Sequence, residues 1–361
     1  MQTLADKFLE WAGPLENGKP SRYDLYWHIF RKLPDSSSFW AEINMRAGKL
    51  DADRRQMIHY LLMGAVQYLV LNEPREPLAA YFPASPAHNP NLSRAEAGTV
   101  FLEFYQRRRE EIWSMVQTRE VQINKLGRLA LFAPLFLEIA RRSSKPLAFV
   151  DVGCSVGLGL LWPQFYFHYP GHGNIIAGNN FGELTCPIKG TSSIPLNGVL
   201  SEPSFLCGIE TAPLSPTCDK DVRWLFALTA PHDEDGRKNL RSGLEAVARV
   251  KPRIEQGCVL DVLPRLEHEW ADGDNLVVYH SMTMHHLRAE KKHAFHGVLT
   301  HLAKQRRVFE VGVEWAEQSS PNPQAKKSVE LTLCEWKAHG AVVEKIGKTD
   351  PSADGSFIEF E

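Results

Sequence analysis

The sequence predicts an α/β protein: a core built on a parallel sheet, preceded by a helical N-terminal domain. Three observations predict it. Up to residue 144 apolar residues recur at helical spacing. At Leu147-Ala-Phe-Val-Asp-Val152 a short apolar run meets a glycine-rich turn, the pattern of a buried parallel strand feeding a helix. Beyond it, apolar runs alternate with helical patterns, as in a parallel sheet with crossover helices. The 361 residues suffice for two domains. The division falls at 1–144, a helical domain expected to lid the pocket, and 145–361, the core, with an insertion at about 163–203.

In the first domain, Asp51 caps a helix expected to run to about Leu71, and Asn72-Glu-Pro74 stops it. Residues 81–97, rich in Pro, Asn, Ser and Ala, read as a loop. A second helix follows, with Phe101, Phe104, Tyr105, Ile112, Met115 and Val116 on one face. A third is expected from about Arg119 to Arg142, kinked at Pro134. After the turn at Ser143-Ser-Lys-Pro146, strands are expected at 147–152, 204–209, 257–261, 275–280 and 306–314, with helices at Arg237–Val250 and Glu290–Lys304 among them. Segments 329–336 and 341–346 flank Ala338-His-Gly340 as an antiparallel hairpin. The insertion is aperiodic, so it is either functional or hides short strands.

Charge is balanced: 41 Lys+Arg against 43 Asp+Glu, net −2, which disfavours DNA as a partner. The most apolar stretch, Met57–Leu71, is interrupted by His59 and Gln67 and is too short and polar for a membrane span. The first residues, MQTLADKFLEWAG, show no signal-peptide pattern, so a soluble cytoplasmic protein is expected. The six cysteines form no C-x-x-C pair and read as free thiols, and no metal site is expected.

Asp151-Val-Gly153-Cys-Ser155-Val-Gly157-Leu-Gly159 admits three chemistries. The first is S-adenosylmethionine (SAM) binding, in which small residues let the backbone approach the ligand and a helix N-terminus meets its carboxylate. Dinucleotide binding wants G-x-G-x-x-G, and Ser155 and Leu158 stand where two glycines belong. The third is a hydrolase, because Gly153-Cys-Ser155-Val-Gly157 is G-x-S-x-G, with Asp261 and then His280, His285 or His286 downstream. No upstream HGGG-like segment accompanies it. Tight helix–sheet packing is the bland explanation.

Together with other segments, this turn resembles a bacterial family known as a domain of unknown function, with a helical N-terminal part and a class I SAM-methyltransferase-like Rossmann core. The resemblance rests on Ala65-Val-Gln-Tyr-Leu-Val-Leu71, Thr118-Arg-Glu-Val-Gln122-Ile-Asn124-Lys-Leu-Gly-Arg128, Asp151–Leu160, Gly208-Ile-Glu210-Thr-Ala-Pro-Leu-Ser215 and Tyr279-His280-Ser281. It covers most of the chain in order. Glu210 and Ser215 stand where the family has aspartates, and Gly159 where it has asparagine. The resemblance implies the fold and a SAM-type pocket, makes Ser155 a turn residue, and carries no defined reaction.

In open α/β sheets ligands bind beyond the carboxyl ends of the strands. Asp151 would face the methionine end of SAM, with Gly153, Ser155 and Gly157 lining the turn. Glu210 would take the ribose hydroxyls, with Glu183 as the substitute. Asp261 would accept from the adenine amino group, with Val262 against the ring. Arg119, Gln122 and Asn124 form either a solvated helix face or, as the motif match implies, contacts to the cofactor carboxylate. His280 is the first candidate base, with His285 and His286 behind it; a helix cap is the simple alternative. Glu314 would neutralise a cationic substrate or position an amine. Trp315, Trp162, Tyr166 and Tyr169 would supply an aromatic wall, with core packing favoured for Trp162. The expected function is SAM-dependent methyl transfer to nitrogen, oxygen or carbon of a small molecule. The alternatives are a serine hydrolase using Ser155 and a non-catalytic SAM-binding protein.

Overall fold

A computed structural model of the chain describes residues 3–13, 15, 16, 19–33, 38–316, 328–350 and 353–360. It separates into two compact units, Met1–Ile123 with Thr217–Leu240, and Asn124–Pro216 with Arg241–Glu361. No helix among the described residues is long and apolar enough to cross a membrane.

The first unit is helical. It holds α1 (Leu4–Ala12), α2 (Asp24–Phe30), α3 (Ser38–Ala47), α4 (Ala52–Gln56), α5 (Ile58–Asn72) and α6 (Ala97–Thr118). Asp51 caps α4 by accepting from Arg54 N–H, and the helix expected to run unbroken to Leu71 is interrupted at Met57. Helix α5 is buried nearly all round, as its mostly apolar sequence requires. Its one buried polar residue, Gln67, is fully paired. Tyr26 OH donates to its Oε1 at 2.7 Å, and its Nε2 donates to the Thr229 carbonyl at 2.7 Å.

The expected helix 119–142 is corrected. Helix α6 ends at Thr118, residues 119–125 are irregular, a 3₁₀ turn spans Leu126–Arg128, and α7 is Leu129–Arg142. The Arg54 guanidinium donates to the Val116 and Arg119 carbonyls, and Trp224 Nε1 donates to the Glu120 carbonyl. Side chains thus satisfy the backbone acceptors that a continuing helix would have used. The boundary accordingly falls at 123/124 and not near 144. Helix α7 belongs to the second unit, where Phe132 and Phe136 pack on Phe149, Trp162 and Tyr279 of the core. Pro134 deprives the Ala130 carbonyl of its helical donor, and Tyr169 OH supplies one at 2.8 Å.

Segment Thr217–Leu240, placed by sequence within the core domain, joins the helical unit with α8 (Asp219–Ala227) and the start of α9 (Glu234–Val250).

The second unit carries a nine-stranded mixed sheet. Its strands are β1 (Leu147–Val152), β2 (Phe205–Glu210), β3 (Ile254–Gln256), β4 (Asn275–Ser281), β5 (Val308–Trp315), β6 (Val329–Lys337), β7 (Gly340–Thr349) and β8 (Ile358–Phe360), with Ile188–Lys189 at one edge. The order is β3-β2-β1-β4-β5-β6-β7-β8. The first five strands run parallel, and β5 to β8 form an antiparallel meander that includes the expected hairpin. Strand order therefore reverses between β1 and β4, the topological switch point. One face packs on α10 (Val259–Leu266) and α11 (Ala289–Leu302) through Val150, Val152, Val262, Val278, Phe295 and Leu299.

Two expectations are overturned here. The strand expected at 257–261 lies at 254–256, paired with Gly208–Glu210. Gly257, at φ +151°, then turns the chain into α10. The glycine turn after β1 leads into a seven-residue 3₁₀ segment, Leu158–Gln164, interrupted by Pro163, and not into an α-helix. The insertion does hide strands: Tyr166–Tyr169, Gly173–Ile176, Glu183–Thr185 and Gly198–Val199 make a four-stranded sheet.

Candidate functional site

The turn after β1 is built around left-handed backbone. Gly153, Ser155 and Gly157 have φ of +76°, +55° and +93°. Glycine at 153 is required twice: by its φ, and because a Cβ there would lie 2.5 Å from Thr283 Oγ1. Ser155 holds the same region without that freedom and is strained. Glu210, at the end of β2, holds the turn in place. Ser155 N–H donates to its Oε2 at 2.9 Å, while Ala212 N–H and Thr211 Oγ1 donate to Oε1 at 3.1 Å. Asn124 Nδ2 donates to Ser155 Oγ at 3.0 Å.

Asp151 stands differently. It is 6 % exposed, its carboxylate lies against the Cα of Gly159 where a side chain would collide with it, and no described residue donates a hydrogen bond to it. Burial, followed by the charge of Glu210, pushes its carboxyl up to about 7, against the opposing pull of His280 and Arg128. Strand alternation places Ser281, two residues beyond Tyr279, on the same sheet face, since Tyr279 pairs with Asp151. Ser281 Oγ is also buried and has no partner among the described residues.

The opposite face of the β4 and β5 ends carries a charged cluster. His280 is 3 % exposed. Its Nδ1 is 2.8 Å from Glu314 Oε1 and its Nε2 is 3.1 Å from Glu310 Oε1, so both nitrogens act as donors. Burial alone would lower its pKa, but the two carboxylates outweigh it and push it up to about 10. Glu310 and Glu314 lie below the usual carboxylate range, held there by His280 against their own burial. Trp336 Nε1 donates to Glu310 Oε2 at 2.9 Å. Thr283 and Met284 N–H donate to Glu314 Oε1 at 2.8 and 3.1 Å. The expectation that His280 is a base is corrected: an imidazolium with both protons engaged accepts none.

The remaining expected residues are scattered. His285 Nδ1 lies 3.5 Å from Glu314 Oε2, and its ring stacks on Trp315 at 4.9 Å. The His286 side chain lies outside the described residues. Arg119 and Gln122 belong to the helical unit, where Arg119 pairs with Asp221 at 3.1 Å. Neither is on a helix, contrary to expectation. Asp261 is exposed on the first turn of α10, not at a strand end, and Val262 is buried in the core beneath that helix. Glu183 opens a short exposed strand. Trp162 is core, and Tyr169 is engaged with α7.

Sequence reasoning missed Glu310, Thr283 and Trp336, and quoted Ser281 and Arg128 only within motifs. Glu310 and Glu314 on one face of an otherwise apolar strand were a usable signal, because buried acids are rare without partners.

Fold and site define an α/β protein with a buried polar cluster at the switch point of its sheet. The chain belongs to the bacterial family described as "Uncharacterized protein conserved in bacteria (DUF2332)", whose model matches residues 16–355. No curated protein matches it.

Proposed function

We propose that the protein binds SAM at the ends of β1, β2 and β4 and transfers its methyl group to a small molecule. The observation that carries this is the Asp151 carboxylate: buried, given no donor by any described residue, and set beside a left-handed turn at the switch point. Such a group is costly unless something donates to it. The α-ammonium of SAM is a donor of the right charge, and Ser281 Oγ can share it. Glu210 Oε2 accepts one backbone hydrogen bond and keeps a lone pair for a ribose hydroxyl.

The fit is partial. The seven-residue 3₁₀ segment supplies no helix N-terminus for the methionine carboxylate, and no strand-ending acid stands at 261 for the adenine. SAM would supply the electrophilic methyl group; the chain's residues bind and orient. With His280 committed as a donor, catalysis rests on proximity, not on a histidine base. Titration calorimetry with SAM and S-adenosylhomocysteine tests this. Micromolar binding that Asp151→Ala abolishes is expected; no binding by the wild type refutes it. Binding without turnover across acceptor screens leaves a SAM-binding protein.

One observation favours a hydrolase: Ser155 is strained at φ +55° between a strand and a helical turn, as a nucleophile elbow is. Against it, the hydroxyl accepts from Asn124 and His280 takes no proton. A fluorophosphonate probe that labels Ser155 would establish the hydrolase; we expect no labelling.

A further inference from the structure

The His280 cluster does more than fill the sheet. We propose that His280 is a positioning residue: gripped by Glu310 and Glu314 on its two ring nitrogens, it fixes the carboxylate that holds the β4 loop, and through Thr283 that loop sets the shape of the glycine turn. The inference rests on the proposed function for its consequence, ligand affinity, but not for its mechanics.

The contacts form an unbroken chain. Trp336 on β6 donates to Glu310, Glu310 and Glu314 hold His280 from either side, and Glu314 Oε1 accepts from the N–H groups of Thr283 and Met284. Thr283 Oγ1 donates to the Val152 carbonyl at 3.2 Å, and the same side chain presses on Gly153. Strain concentrates where this chain ends. Met282, between His280 and Thr283, has φ +55°, as Ser155 does in the glycine turn. Two strained non-glycine residues at the ends of β1 and β4 need a rigid support, and the buried ion cluster supplies one.

A cluster of two carboxylates and one imidazolium holds only while the imidazole keeps both protons. The groups that act on it are Glu310 and Glu314 from β5, Asp151 from β1, and His285 after β4. His296 on α11 and Cys334 on β6 act on Glu310. Removing one carboxylate leaves the proton less firmly held, so the support becomes sensitive to alkali near neutrality.

The test is Glu310→Gln, followed by amide hydrogen exchange and SAM titration from pH 6 to 8.5. In the variant, protection of Thr283, Met284, Gly153 and Ser155 should fall about tenfold across this range after correction for intrinsic exchange. Its SAM dissociation constant should rise about fivefold or more. The wild type should keep its protection on the alkaline side, and its affinity, which falls only as the ligand ammonium deprotonates, should fall less than the variant's. A variant whose protection and affinity change uniformly, or not at all, with pH overturns the proposal. If the wild type binds no SAM, the proposed function fails while the exchange arm still decides this inference. Should Glu310→Gln not fold, Thr283→Ala cuts the chain at its far end. It should loosen residues 153–155 and leave the His280 ring resonances in place; an unchanged turn contradicts the proposal.

Discussion

Asp151 costs the fold stability that a ligand can restore. Its carboxyl is raised from an ordinary 3.8 to about 7, so the cost of ionising it is absent below about pH 4 and complete above about pH 7. Asp151→Asn should therefore stabilise the protein at pH 8, by on the order of a few kcal/mol, and by little at pH 4. The same substitution should abolish SAM binding. Denaturant melts at the two pH values check the first, calorimetry the second; equal effects at both pH values would contradict the burial argument. His280 shows how residue chemistry escapes sequence reading. Its place at a strand end was legible, but its protonation depends on Glu310, thirty positions away in sequence and buried beside it. Asp151 was legible because strand, acid and glycine turn are contiguous.

At the scale of elements, the glycine turn and α7 each depend on one side chain from elsewhere. Gly153→Ala forces an unfavourable φ and drives a methyl group into Thr283, and should cost about 1–3 kcal/mol. Combining it with Thr283→Ser should recover part of that loss, because a methyl is removed from the clash; thermal melts of the pair measure the coupling. In α7, Tyr169→Phe leaves the Ala130 carbonyl buried without its donor and should cost about 1–3 kcal/mol by chemical denaturation. No local pattern announces these pairings. The helix expected over 119–125 fails for the same reason: Arg54 and Trp224 claim the carbonyls from a distance. Strands β1, β2, β4 and β5 were readable because buried parallel strands are uniformly apolar. The 257–261 error arose because the amphipathic start of α10, Cys258-Val-Leu-Asp-Val262, mimics such a run.

For the whole molecule, the ion cluster sets the pH range of stability. His280 rises from an ordinary 6.5 to about 10, so its contribution is complete below about pH 6.5 and is lost as the pH climbs through about 10. Glu310 and Glu314 are depressed, so theirs is present above the ordinary 4.5 and lost as acid protonates them. His280→Asn should narrow the gap in denaturation midpoint between pH 7 and pH 10.5 relative to the wild type. At this scale the sequence revealed the α/β class but not the strand order that sets the switch point, nor the partition of the chain. Segment 217–240 returns to the helical unit through long-range packing of Gln67 with Thr229, a contact with no sequence signature.

The most direct test is calorimetric titration of the intact protein with SAM at pH 7.5, beside 5′-methylthioadenosine, which lacks the amino-acid tail. Micromolar SAM binding, at least tenfold tighter than the tailless nucleoside and lost in Asp151→Ala, is the predicted result. No heat with SAM, or equal affinity for the two, would contradict a ligand ammonium on Asp151.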